Sequence, residues 1–260
     1  MKNTAGGSVN SNPRPAVLTD FDDTAAVQNV AEMLLTRFGD STWQDVRRRF
    51  RNGEITLNQY QEITFRNIQA DRPTMQDYVK QNASLRPYFK EMWGYCQDRQ
   101  VPLAVVSQGL DFYIEALLEK EGCGRVPVHA VNTRFTPQGI NYEYRYALPG
   151  KEHLGNSKGV VVDSYRDQGH YIVYIGDGQS DFEPATKADL VFAHRALADE
   201  CKRQEIPFRP FTDFGDVLQA VEELTGGSSR NGVGPTSGQK PAIYSSDGPS
   251  VEPSDVEEAR

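Results

Sequence analysis

The stretch AVLTDFDDT, residues 16–24, runs four residues of strand type straight into three carboxylates and a hydroxyl. A continuous apolar run without alternation is the pattern of a strand buried on both faces. Three more such runs follow at 102–106 (PLAVV), 171–175 (YIVYI) and 190–193 (LVFA). Helical patterns separate them. One covers 111–121, with Phe112, Ala116 and Leu117 on one face and Gly122 as a stop; another covers 213–224, with Val217, Val221 and Leu224. Buried strands alternating with helices predict an α/β protein with a doubly wound parallel sheet, a Rossmann-like core.

Two departures interrupt that alternation. Between the first two strands lie some 80 residues without a strand signal, far more than the dozen or so that a crossover needs. Val30, Met33, Leu34 and Phe38 follow helical spacing, Ser41 to Gln44 reads as a capping box before Val46 and Phe50, and a third helix from Thr56 carries Leu57, Tyr60 and Ile68. An inserted helical cap over 27–84 is the expectation, with the core formed by 16–26 and 85–225. The second departure is 128–147, where extended stretches flank Pro137-Gln138-Gly139 and read as a β-hairpin beside the main sheet. Segments 1–15 and 226–260 are rich in Gly, Ser, Pro and Asn, and their composition predicts disorder; the acidic end, Glu252 to Glu258, reads as solubilising.

Composition narrows the function classes. The 260 residues carry 28 Lys plus Arg against 36 Asp plus Glu, a net charge of -8 that disfavours both nucleic acid and anionic membrane as partners. No apolar run approaches a membrane span or a signal peptide, so a cytoplasmic protein, monomer or homodimer, is expected. Cys96, Cys123 and Cys201 are odd in number and widely spaced, which reads as reduced thiols, and His129, His153, His170 and His194 have no zinc-ligand spacing. Arg47, Arg48 and Arg49 read as a solvated helix face with at most one inward member.

The chemistry lies where the strands end. The first run ends in Asp20-Phe21-Asp22-Asp23-Thr24, the second in Ser107-Gln108-Gly109, the third in Gly176-Asp177-Gly178-Gln179-Ser180-Asp181. Carboxyl ends of parallel strands share one edge, so these segments converge there. Two carboxylates at 4 Å repel by about 4 kcal/mol at an effective dielectric of 20. A hard cation, a proton or a lysine must offset that; Mg²⁺ suits an all-oxygen site, and Lys158 is the nearby lysine. Such a set fits phosphoryl transfer. Asp20 would attack phosphorus, and Asp22 would protonate the leaving alcohol and then deprotonate water. Ser107 and the N–H groups of Gln108 and Gly109 would hold phosphate oxygens, and Asp177 would complete the metal shell.

DFDDT (20–24), VVSQG (105–109), Lys158 and GDGQSD (176–181), in that order, resemble the four motifs of the haloacid dehalogenase superfamily, over about 16–195 of the chain. The helical insert is similar to that of the phosphoserine phosphatase branch. VVSQGLDFYI (105–114), the hairpin and GNSKG (155–159) look most like the branch members that act in methionine salvage. The resemblance implies a Mg²⁺-dependent phosphomonoesterase that works on a small phosphate ester through an aspartyl phosphate. It makes Asp20 nucleophile and metal ligand, Asp22 acid/base and metal ligand through its carbonyl, Asp177 metal ligand and Asp181 its support, with Thr24, Ser107 and Lys158 around the phosphate. Asp22 separates this pattern from dehalogenases, which lack that second aspartate. A phosphotransferase using the same intermediate, or a non-catalytic phospholigand-binding protein, is the alternative. Two positions depart from the pattern: Asp23 stands where the family usually has Gly, and Ala25 to Asn29 lack the acidic residue that branch members commonly use for substrate contact.

Overall fold

The computed structural model describes residues 14–226. The disorder expected of 1–15 and 226–260, and the role given to the acidic tail, therefore fall outside the described residues, save for Arg14, Pro15 and Gly226; Pro15 is the first residue of the first strand.

Seven strands form one sheet in the order β4-β3-β2-β1-β5-β6-β7. They are β1 (Pro15–Thr19), β2 (Leu103–Leu110), β3 (Val128–Thr136), β4 (Gly139–Glu143), β5 (Tyr171–Gly176), β6 (Leu190–Ala193) and β7 (Arg209–Pro210). All neighbours pair in parallel except β3 with β4. β1 lies at the centre, and its last residue, Thr19, pairs with Val105 on one side and Ile175 on the other. That register sets Asp20, Ser107 and Asp177 one or two residues past the same edge. The expected hairpin is present but differs in place: β3 pairs directly with β2, so the hairpin extends the main sheet instead of standing beside it.

Side chains alternate across the central strands, as the pleat requires. Ala16 and Leu18 pack with Ala104, Val106, Ile172 and Tyr174 on one face, against Val161 and Val162 of α7 (Lys158–Arg166). Val17, Leu103, Val105, Val173 and Ile175 point to the other face, which is covered by α5 (Phe89–Arg99), α6 (Asp111–Lys120) and α10 (Phe214–Leu224). A smaller cluster joins α8 (Phe182–Lys187) and α9 (Arg195–Arg203) to β6 through Ala185, Leu197 and Cys201. All three cysteines are free and buried.

The helical insert consists of α1 (Val30–Phe38), α2 (Trp43–Arg51), α3 (Leu57–Arg66) and α4 (Arg72–Asn82). Its entry and exit strands meet: Ala26 bridges to Leu85, Val27 N donates to Ser84 O at 3.0 Å, and Arg86 N donates to Ala25 O at 2.8 Å. The capping box expected at Ser41 to Gln44 does not form. The helix starts at Trp43 with Thr42 in the N-cap position, so Ser41 lies one residue too early to cap it, and Asp40 holds the turn by accepting from both the N–H and the hydroxyl of Thr42. The reciprocal cap lies at α3 instead, between Thr56 and Gln59, and that helix ends at Arg66, before Ile68. Among the described residues no helix is long and apolar enough to cross a membrane.

Candidate active site

The polar residues at the strand ends line a cleft of about 380 Å³ between the sheet edge and the helical insert. After β1 the chain makes one wide turn, in which Ala25 N reaches Asp20 O and Ala26 N reaches Phe21 O. Asp23 sits in it at φ +62, left-handed backbone that glycine favours and that Asp tolerates better than most residues. Phe21 turns into the core, fully buried, so the aspartates on either side stay at the cleft.

Lys158 is the pivot of the floor. Its ammonium lies 2.7 Å from Asp20 Oδ1 and 2.6 Å from Asp181 Oδ1, with all three side chains buried. Burial alone would pull this amine down, but the two carboxylates outweigh it and hold Lys158 above its ordinary value. Asp181 is fully engaged. Oδ1 also accepts from the Tyr174 hydroxyl at 2.6 Å, and Oδ2 accepts from the N–H groups of Asp177 (3.1 Å) and Gly178 (2.9 Å). This fold of the loop needs Gly176, because a Cβ there would collide with the Asp181 carboxyl.

A cation site follows from the donor set. Carboxylate oxygens of Asp20, Asp177 and Asp181 lie within 4.8 Å of one another. No described residue hydrogen-bonds Asp20 Oδ2, and Asp177 offers Oδ2 while Thr24 donates to its Oδ1 at 3.1 Å. Burial, then the charge of Asp181, raise both Asp20 and Asp177, the latter to about 6. Lys158 therefore leaves negative charge uncompensated. Oxygen donors with residual negative charge fit a hard divalent cation such as Mg²⁺. Asp20 Oδ2 accepts no hydrogen bond from a described residue and Asp177 Oδ2 has only the Arg195 guanidinium at 3.7 Å, so both can serve it, whereas the four hydrogen bonds on Asp181 suit a support that orients the loop.

Asp22 faces the cleft in a different setting. Its Oδ1 accepts from Val30 N at 2.7 Å, at the start of α1, and its Oδ2 accepts from the Tyr113 hydroxyl at 2.9 Å. Burial, only partly opposed by these bonds, raises its carboxyl to about 6. Tyr113 reaches it across Gly109, where a Cβ would overlap the hydroxyl. The Gly109 N–H donates to Ser107 Oγ at 2.9 Å, and the Gln108 carbonyl accepts from Gln61 Nε2 of α3 at 2.5 Å. Ser107, Gln108 and Gly109 thus line the cleft as expected, from the end of β2 just before α6 starts at Asp111. Asp111, the first residue of α6, accepts from Thr133 N at 3.1 Å.

Several residues at the site were not singled out by sequence. Gln61 and Tyr113 line the cleft, and Tyr174 and Arg195 stand behind it; Tyr113 and Tyr174 lie within quoted stretches, but all four gain their contacts only by folding. The far wall comes from the insert: Glu32, Arg47, Phe50, Arg51, Leu57, Tyr60 and Phe65. Phe50 stacks on Tyr60 at 5.3 Å and 18°. Arg47 is the inward member of the basic triplet and pairs with Glu32; Arg48 and Arg49 are exposed. Glu32, three residues beyond the stretch that lacks an acidic residue, supplies a carboxylate to this wall.

Comparison with known proteins agrees with this geometry. The haloacid dehalogenase-like hydrolase family matches residues 17–185. The chain is 25% identical over 210 residues to a 2-hydroxy-3-keto-5-methylthiopentenyl-1-phosphate phosphatase of Brevibacillus brevis, covering 79% of this chain and 94% of that one. It is 27% identical over 221 residues to the phosphatase of the same name from Lysinibacillus sphaericus, covering 81% and 95%. Among solved structures, a phospho-aspartyl intermediate analogue of phosphoserine phosphatase superposes with a TM-score of 0.59 at 16% identity, over 80% of this chain and 99% of that one. With the motif residues gathered at one sheet edge and the family match spanning most of the core, the chain belongs to the haloacid dehalogenase-like hydrolase family, among its phosphatases.

Proposed function

We propose that the protein is a Mg²⁺-dependent phosphomonoesterase that works through a phospho-Asp20 intermediate. The observation that carries this reading is the buried Lys158 bridging Asp20 and Asp181, with Asp20 Oδ2 left without a hydrogen bond from any described residue. A carboxylate oriented through one oxygen presents the other as nucleophile. Asp20 Oδ2 attacks phosphorus, the bond from phosphorus to the ester oxygen breaks, and Asp22 delivers its proton to that oxygen. Asp22, now ionised, takes a proton from water; the water oxygen attacks the phosphoryl group, and cleavage of the acyl phosphate restores Asp20 and releases phosphate. An Asp22 carboxyl raised to about 6 keeps a protonated fraction near neutrality and remains a competent base afterwards.

Asp20, Asp177 and the Asp22 carbonyl would hold Mg²⁺, with Asp181 as their support. Bound there, the ion would offset the charge on the transferring group. Ser107 and Lys158 line the cleft where the phosphate would lie, whereas Thr24, expected beside them, is fully buried behind the lining and gives its hydroxyl to Asp177; the Gly109 N–H becomes a phosphate donor if Ser107 releases it.

The substrate is a small phosphate ester, and the size and lining of the cleft support that class. Phe50, Leu57, Tyr60 and Phe65 favour a leaving group with an apolar part, as in the short methylthio chain named for the two bacterial relatives. Phosphate release from that ester, phosphoserine, phosphocholine and sugar phosphates, with and without Mg²⁺, tests the reading. The expected result is Mg²⁺-dependent turnover with one preferred ester, lost in Asp20→Asn. Equal rates in the variant and the wild type would overturn it.

A further inference from the structure

Among the described residues, Asp23 and Arg195 are two of five non-glycine residues with positive φ, at +62 and +49, and they face each other. Strained backbone of this kind persists only where the surroundings hold it. Here an ion pair does: Arg195 Nη1 lies 2.5 Å from Asp23 Oδ1. The same nitrogen is 3.7 Å from Asp177 Oδ2, the oxygen that Asp177 turns to the cation site. Asp23 is itself anchored on two more sides. Its Oδ2 accepts from Asn29 Nδ2 at 3.0 Å, and its carbonyl accepts from Arg86 Nη2 at 2.6 Å. The guanidinium therefore stands beside Asp177 with its shorter contact to Asp23.

We propose that Asp23 is a positioning residue for the cation site: by holding Arg195 it keeps Asp177 Oδ2 available to a divalent cation. This rests on the proposed Mg²⁺ reading. Arg195 is anchored at the start of α9, and its side chain is 55% exposed, so it is free to swing once unpaired. Without Asp23, Asp177 is the next carboxylate within reach. A guanidinium on that oxygen would compete with the ion, both for the donor and by charge.

Calorimetric titration of Mg²⁺ into wild type, Asp23→Gly, Asp23→Asn, Arg195→Met and the double variant Asp23→Gly/Arg195→Met tests this. Glycine relaxes the left-handed position and Asn tolerates it, so both single variants keep the fold. Asp23→Gly and Asp23→Asn should each weaken Mg²⁺ binding by about tenfold, the scale of one uncompensated charge a few ångströms from the ion. Arg195→Met alone should tighten binding, and the double variant should return close to wild type. A merely structural role for Asp23 would not be rescued by removing Arg195. Unchanged affinity in both Asp23 variants, or a double variant as weak as Asp23→Gly, would overturn the proposal while leaving the cation reading intact. Absence of Mg²⁺ binding by the wild type would overturn both.

Discussion

The two walls of the cleft are built on different physics. The floor is a tight buried network: Lys158 bonds Asp20 and Asp181, and Tyr174 bonds Asp181, at 2.6 to 2.7 Å, with Asp20 Oδ2 left for a ligand. The wall from the insert is a half-buried mixture of arginine and aromatic side chains, with Arg47, Arg51, Phe50 and Tyr60 held by few short contacts. A buried ionic network is intolerant of loss, because whatever remains is an unpaired charge in a poor solvent. A solvated wall can exchange side chains at small cost to the fold. The floor is accordingly where the reaction is expected to reside, and the wall is where the choice of leaving group is expected to reside.

The contrast can be broken by substitution. Asp20→Asn should lower the rate of phosphate release by at least about 10⁴-fold, as for other removed nucleophiles, with an unchanged circular dichroism spectrum. Lys158→Met leaves Asp20 and Asp181 facing each other without a cation, and should cost about 3–5 kcal/mol in urea denaturation besides abolishing turnover. A loss under 1 kcal/mol would mean that the floor is less tightly coupled than its distances imply.

Asp22 supplies a pH test between these extremes. Its carboxyl is raised from 3.8 to about 6, and the proposed first step needs the protonated form, so kcat/KM at fixed Mg²⁺ should fall as pH rises through about 6. The Tyr113 hydroxyl stabilises the ionised form. Tyr113→Phe should therefore move that falling limb to higher pH; movement to lower pH would remove Tyr113 from this role.

Smaller effects sharpen the same comparison. Tyr174→Phe deletes one hydrogen bond to buried Asp181 and should cost about 1–2 kcal/mol in stability. On the opposite wall, Phe50→Ala and Arg51→Ala should raise KM a few fold with kcat held within about twofold and the melting temperature little changed. A kcat collapse in either would show that the insert takes part in the chemistry and not only in recognition.

The same division marks what was legible before folding. Asp20, Asp22, Ser107, Lys158 and Asp177 could be picked out as candidates because the proposed chemistry calls for particular residue types at strand ends, and strand ends are visible as apolar runs that stop. The hairpin was legible as a hairpin, but not its annexation to β2, since pairing partners depend on which edge is free. The capping box at Ser41 was not legible as misplaced, because the register of the helix start, set at Thr42, depends on how the insert packs and not on the cap residues alone.

Local periodicity and residue chemistry suffice for the parallel sheet, the insert between its first two strands and the identity of the carboxylate cluster. Folding was needed to show that Tyr174 and two backbone N–H groups occupy Asp181, that Tyr113 reaches Asp22 over Gly109, and that Arg195, 172 residues from Asp23, balances it beside Asp177. Those contacts join residues distant in the chain, and such pairings are set by packing geometry that no local pattern encodes.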